Sequence, residues 1–171
     1  MRKINVLELV GDLKTGGAQA LIRDYARLLD YEKFNVSIAT IYPAHTGANV
    51  EIIRQTGAKL LHIYKSRIPY YQIINRINPI FSISNRLLKL IQTEHIDVIH
   101  VHLNMLRYLE PIRMQLVNIK LIYTCHSVPD RYFSGSNIIE YKAAKNLIKD
   151  NGLQLIALHQ EMQKQLNKMF N

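Results

Sequence analysis

The chain has 171 residues, 48% of them hydrophobic and 20% charged, the composition of a single globular domain that can bury a core without staples. Its one cysteine, Cys125, excludes an internal disulfide framework and a Cys-x-x-Cys zinc pattern, and the hydrophobic content excludes a disordered chain. Lys plus Arg number 22 against 13 Asp plus Glu, a formal net charge of +9, so an anionic partner is expected: phosphate, nucleic acid or anionic lipid.

Short β-branched and aliphatic runs alternate with longer segments of helical spacing, the pattern of βαβ units. The first strand, Ile4 to Val10, leads through a glycine-rich turn into a helix with Ala18, Leu21, Ile22, Tyr25, Leu28 and Leu29 on its apolar side. A second strand, Val36 to Ile41, precedes a short helix, Asn49 to Gln55, and a third strand, Lys59 to Ile63. A helix from Ser84 to Thr93 then feeds the fourth strand, Val98 to His102. Helix Tyr108 to Leu116, strand Leu121 to Cys125, helix Ile138 to Lys149, strand Leu155 to Leu158 and helix Gln160 to Met169 complete the alternation. No repeat or Pro/Gly/Ser-rich linker divides it. The expected fold is α/β: one Rossmann-like, doubly wound, mainly parallel sheet spanning residues 1–171.

The apolar start after Met1-Arg2-Lys3 is broken by Asn5, Glu8 and Asp12, which argues against a signal peptide. Nor is there an apolar run of about 18 residues that could cross a bilayer. A cytoplasmic location is expected, with peripheral contact on the inner face of the membrane.

Ligands of such sheets sit outside the carboxyl ends of the strands. There the first strand ends in Gly11-Asp12-Leu13-Lys14-Thr15-Gly16-Gly17-Ala18-Gln19. Free backbone N–H groups at the start of the helix suit a diphosphate. The spacing matches neither Gly-x-Gly-x-x-Gly nor a P-loop, and a tight turn that needs glycine for its dihedrals is the competing reading.

His100 and His102 stand two apart on the fourth strand and so share a face. Two histidines can ligate a metal, yet no carboxylate or third histidine lies near them in sequence, so no metal site is expected. His126 ends the fifth strand at a second ligand position, where an imidazole can act as acid, base or hydrogen-bond partner. Its neighbour Cys125 faces the other way and is expected in the core.

The stretch from Ile52 to Thr93 holds Arg54, Lys59, Lys65, Arg67, Arg76, Arg86 and Lys89 and no acid. Tyr70, Tyr71 and several isoleucines lie between them. Lys65, Arg67, Tyr70, Tyr71 and Arg76 suit an anionic membrane surface or a lipid-linked acceptor; a helix packed on the sheet with a solvated basic face is the other reading. Nucleic acid is not expected, because isoleucine outnumbers the stacking aromatics and no RNA or DNA motif is present.

Three features occur in order: Gly16-Gly17-Ala18-Gln19 opening the first helix, Asp97-Val98-Ile99-His100-Val101-His102 on the fourth strand, and Tyr123-Thr124-Cys125-His126 on the fifth. From Ile4 to about Leu158 the chain resembles the amino-terminal domain of a family 4 retaining glycosyltransferase with the GT-B fold. The resemblance implies an acceptor-side domain facing a carboxyl-terminal donor-binding domain that this chain does not contain. It implies that Gly16 and Gly17 approach the donor diphosphate and that His126 hydrogen-bonds the donor sugar as the catalytic-site residue; His102, Asn104 and Arg131 follow sheet-top strands and are on that ground expected to meet the acceptor. No cofactor or divalent metal is implied, the nucleotide sugar being a substrate, and the product is expected to be a surface polysaccharide or glycolipid. Ser127 and Gln19 depart from the Asp and Glu common in the family. The chain alone is expected to be catalytically incomplete, either cut from a longer enzyme or one subunit of a two-chain enzyme. A non-catalytic Rossmann-like module for nucleotides or nucleic acid is the alternative.

Overall fold

A computed structural model of the chain describes residues 2–43, 46–65 and 79–170. Six strands, β1 (Ile4–Leu9), β2 (Phe34–Thr40), β3 (Lys59–His62), β4 (Val98–His102), β5 (Lys120–Cys125) and β6 (Gln154–Ala157), form one sheet in the order β3-β2-β1-β4-β5-β6. Every neighbouring pair is parallel. The chain builds from β1 to one edge, then returns beside β1 and builds to the other, so the order reverses between β1 and β4. Helices α1 (Gly17–Leu28), α2 (Ala48–Arg54), α3 (Pro79–Thr93), α4 (Leu106–Leu109), α5 (Pro129–Tyr132), α6 (Ile138–Asn151) and α7 (Gln160–Phe170) fill the connections.

Strand alternation sorts the central residues onto two faces. Leu7, Leu9, Ile99, Val101, Tyr123 and Cys125 are fully buried on one, in the cluster that also takes Leu87 and Ile91 from α3 and Ala144 and Leu147 from α6. On the other face α1 contributes Ile22 and Ala26, and α2 contributes Val50 and Ile53, to a smaller cluster around Ile38. Each such aliphatic side chain stabilises the fold by about 1.5–3 kcal/mol when fully buried. Glu8, His100 and Thr124 lie on this second face, and all three are buried.

The structure departs from the expected elements where backbone chemistry intervenes. Leu28, counted with the apolar side of α1, is 82% exposed, because six residues past Ile22 the helix has turned it away from the sheet. The single helix expected over Tyr108 to Leu116 is instead α4 followed by a 3₁₀ turn, Glu110–Gln115. Pro111 has no N–H to donate to an i−4 carbonyl, so the tighter turn takes over. Helix α6 runs to Asn151 and stops at Gly152, whose φ of 64° is in the left-handed region and whose N–H closes on the Ile148 carbonyl at 3.1 Å. At the other end of α6, Glu140 is fully buried. It accepts hydrogen bonds from the Leu106 backbone N–H and the Arg107 guanidinium, tying α6 to α4.

Part of the basic stretch is tied down. Lys59 pairs with Glu94 at 2.6 Å, Arg54 with Glu51 at 3.3 Å, and the Arg86 guanidinium lies over the Tyr64 ring at 4.8 Å. Lys65 is exposed, whereas Arg67, Tyr70, Tyr71 and Arg76 lie outside the described residues. No helix among the described residues is long and apolar enough to cross a membrane.

Candidate functional site

Beside the β1–β4 reversal, the loop after β1 delivers Gly16 and Gly17 to the start of α1. Gly16 has an extended backbone, with φ 171°. A Cβ built on Gly17 would meet nothing within 4 Å, and one on Gly16 would meet only the movable Gln19 side chain. Neither glycine is therefore required by a left-handed dihedral, and the tight-turn reading loses its physical basis. What Gly17 provides is open space against the backbone N–H groups of a helix whose first turn carries no acid.

That space is shared with His126. Gly17, Gln19, Leu103, His126 and Ser127 are among the residues lining one cavity of about 420 Å³. A smaller cavity of about 190 Å³ adjoins it, lined by Asp12, Gln19, Leu103, Asn104 and Tyr108 among others. Leu103 and Gln19 belong to both walls. Leu103 also carries a φ of 54°, a conformation that costs a non-glycine residue on the order of 1–3 kcal/mol and concentrates at functional sites.

Behind His126 runs a chain of buried polar groups. His126 Nε2 lies 2.9 Å from His102 Nδ1, and His102 Nε2 lies 2.7 Å from Glu8 Oε2. His100 Nδ1 lies 3.1 Å from the same carboxylate oxygen, and its Nε2 is 2.7 Å from Thr124 Oγ1. Tyr25 of α1 covers His100, ring centroids 5.4 Å apart. Burial pushes the Glu8 carboxyl up, but hydrogen bonds from His100 and His102 and electrostatic attraction to the two rings hold it below the usual carboxylate range. Burial lowers His102 and outweighs the carboxylate beside it. For His126, burial first and then the neighbouring imidazoles lower the pKa to about 4.

The structure thus brings Gly17 and His126 together on one cavity. His102, expected to meet the acceptor, is fully buried between Glu8 and His126 and lines neither cavity. A carboxylate does stand beside the two histidines: parallel pairing places Glu8 of β1 opposite His100 of β4. The nearest ligand atoms of Glu8, His100 and His102 lie within 4.8 Å of one another, close enough to share a metal ion. In the structure these atoms hydrogen-bond one another instead. Asn104 is exposed on the smaller cavity and accepts a hydrogen bond from the Tyr132 hydroxyl at 2.7 Å. Arg131 is exposed on α5 and outside the lining of both cavities. Cys125 is buried on the opposite face, where burial raises its thiol pKa and its Sγ donates to the Ser127 carbonyl.

Residues 15–171 match the sequence family Glycosyltransferase Family 4. The chain belongs to that family. A glycosyltransferase from Rickettsia africae ESF-5 shares the fold of this family 4 domain, with a TM-score of 0.53 and 13% identity over 94% of this chain. The chain spans 44% of that protein. Phytolacca americana UGT2 complexed with UDP-2fluoro-glucose and pterostilbene is more distant, with a TM-score of 0.45 and 16% identity over 72% of this chain and 31% of its own. No curated protein matches the sequence.

Glu8 was read only as a break in the apolar start and Thr124 only as part of the Tyr123-Thr124-Cys125-His126 motif, neither as a partner of the histidines. The available signal was a lone acid inside an apolar strand, Val6-Leu7-Glu8-Leu9-Val10. A carboxylate at such a position is rarely buried without partners.

Proposed function

We propose that this family 4 domain is the acceptor side of a nucleotide-sugar-dependent, anomer-retaining glycosyltransferase that builds a surface polysaccharide or glycolipid. The observation that carries the reading is the single cavity shared by the helix-opening Gly17 and by His126. The donor diphosphate lies against the amino end of α1, whose partial positive charge offsets charge gathering on the departing nucleotide. His126 hydrogen-bonds the donor sugar and orients it. The acceptor occupies the adjoining cavity beside Asp12, Asn104 and Tyr108. The second domain, which holds the nucleotide, is supplied by the same polypeptide or by a partner, and transfer needs no divalent metal. The domain works in the cytoplasm against the inner face of a membrane, with Lys65, Arg67, Tyr70, Tyr71 and Arg76 toward anionic lipid.

The test is release of nucleoside diphosphate from a panel of nucleotide sugars by the complete enzyme, with His126→Ala and Gly17→Ala beside wild type. His126→Ala is expected to lose at least 100-fold in kcat/KM, the size of effect seen when a group acting on the reacting centre is removed. Gly17→Ala is expected to raise the KM for the nucleotide sugar while leaving the melting temperature unchanged, since its Cβ meets only open space. Undiminished transfer by a folded His126→Ala enzyme would overturn the reading.

A further inference from the structure

Among the described residues, Glu8 and His102 line neither cavity, yet they end in a hydrogen bond to His126, which does. We infer that Glu8 and His102 are positioning residues that lock His126 in a single tautomer, with its proton on Nε2 and a bare Nδ1 left for the ligand. The inference rests on the transferase reading only for what that ligand is.

An ionised carboxylate can only accept, so His102 Nε2, 2.7 Å from Glu8, carries the hydrogen. His102 is fully buried, a setting that favours its neutral form. A neutral imidazole with hydrogen on Nε2 has a bare Nδ1, which must accept. The atom facing it at 2.9 Å is His126 Nε2, so that nitrogen donates. The reverse arrangement would leave two bare nitrogens facing each other, or would require a doubly protonated histidine in a buried position. His100 and Thr124 brace the carboxylate from the other side without touching His126.

The consequence is chemical selectivity. The remaining polar atom of the His126 ring is an acceptor, so the ligand group it takes in the cavity must donate, as a sugar hydroxyl does. A ligand oxygen that can only accept gains nothing there. The same lock keeps the imidazole from serving as a proton donor at neutral pH, in agreement with an orienting rather than an acid role.

The experiment is long-range proton–nitrogen correlation on the chain labelled with nitrogen-15 histidine, at neutral pH. His126 is assigned by loss of its signals in His126→Gln. The expected spectrum shows a protonated Nε2 and an unprotonated Nδ1 for His126. In Glu8→Leu this single form is expected to give way to a mixture of tautomers, whereas Thr124→Val, which frees only His100, leaves it unchanged. A proton on Nδ1 of His126 in the wild-type chain overturns the proposal. So does an equal response to Thr124→Val, which would mean that general packing sets the tautomer. Equimolar zinc is expected to leave the spectrum unchanged; a joint shift of the His100 and His102 signals would make the cluster a metal site instead. The wild-type spectrum decides even if Glu8→Leu fails to fold. It requires no sugar donor and no transfer, so a failed transfer assay leaves the tautomer result standing.

Discussion

At the residue scale the buried cluster makes the protein sensitive to acid in one direction. The pKa of His126 falls from the ordinary 6.5 to about 4 in the folded chain, so as pH falls the unfolded chain takes up its proton first. Its contribution to stability is therefore complete above pH 6.5, declines as pH falls toward 4, and changes no further below that. His102 acts with the same sign, and the depressed Glu8 carboxyl extends the loss to lower pH. Solvent screening at the half-buried His126 ring keeps its own effect to on the order of 1–2 kcal/mol. Urea unfolding across this range is expected to show stability falling with acid, and His126→Gln is expected to flatten the slope; a wild-type slope of opposite sign would contradict the cluster's geometry. The placement of Gly17 and His126 at strand ends on one side of the sheet was legible in the sequence, because glycine pairs and strand-end histidines carry local signals. Glu8 was not, because its meaning depends on which strand lies beside it. A spacing of 92 residues separates Glu8 from His100, and only the β1–β4 register joins them. The same gap hid the burial of His102, since strand position alone does not say which of two histidines reaches solvent.

At the scale of elements, short aliphatic runs located all six strands and helical spacing the long helices, because a sheet buried on both faces is apolar throughout and a helix buried on one face repeats every 3.6 residues. Short elements escaped these signals. Helix α5 and the 3₁₀ turn after α4 are too brief to show a period, and their form follows from Pro129 and Pro111. What holds that region together is not periodic either: it is the buried Glu140 of α6 clasped by Arg107 and the Leu106 N–H of α4. Arg107→Ala leaves a carboxylate buried without its cation, which costs about 3–5 kcal/mol in comparable pairs. Burial already pushes the Glu140 carboxyl up, against the pull of Arg107. Without that cation the carboxyl protonates still more readily, so the deficit of Arg107→Ala relative to wild type is expected to shrink as pH falls. Chemical denaturation of both proteins at neutral and acidic pH checks this. A deficit below about 1 kcal/mol at neutral pH would mean that the pair is as weakly coupled as an exposed one.

At the scale of the whole molecule, the net charge of +9 asks which anion it serves, and the three candidates respond differently to salt and surface. A diphosphate engages backbone N–H groups at one helix terminus and needs little of the net charge. Nucleic acid would draw on many cations at once and give steep salt dependence. In the structure Arg54, Lys59 and Arg86 of the basic stretch are already engaged with Glu51, Glu94 and Tyr64. Lys65 and Lys89 of the stretch are exposed, and in sequence Lys65, Arg67 and Arg76 are interleaved with Tyr70, Tyr71 and isoleucines. Apolar groups among cations suit a lipid interface better than a phosphate backbone, because the apolar part enters the headgroup region while the charges meet it. Each Lys or Arg near an anionic leaflet contributes about 1 kcal/mol. Neutralising Lys65, Arg67 and Arg76 to Gln together is thus expected to lower partitioning onto phosphatidylserine-containing vesicles by about 100-fold, with no change on neutral vesicles. Equal partitioning of the triple variant would remove this surface from the proposal. Tight, steeply salt-dependent binding of the wild type to oligonucleotides, with no preference for anionic vesicles, would shift the charge to nucleic acid and leave the cavity at His126 to be explained by another ligand.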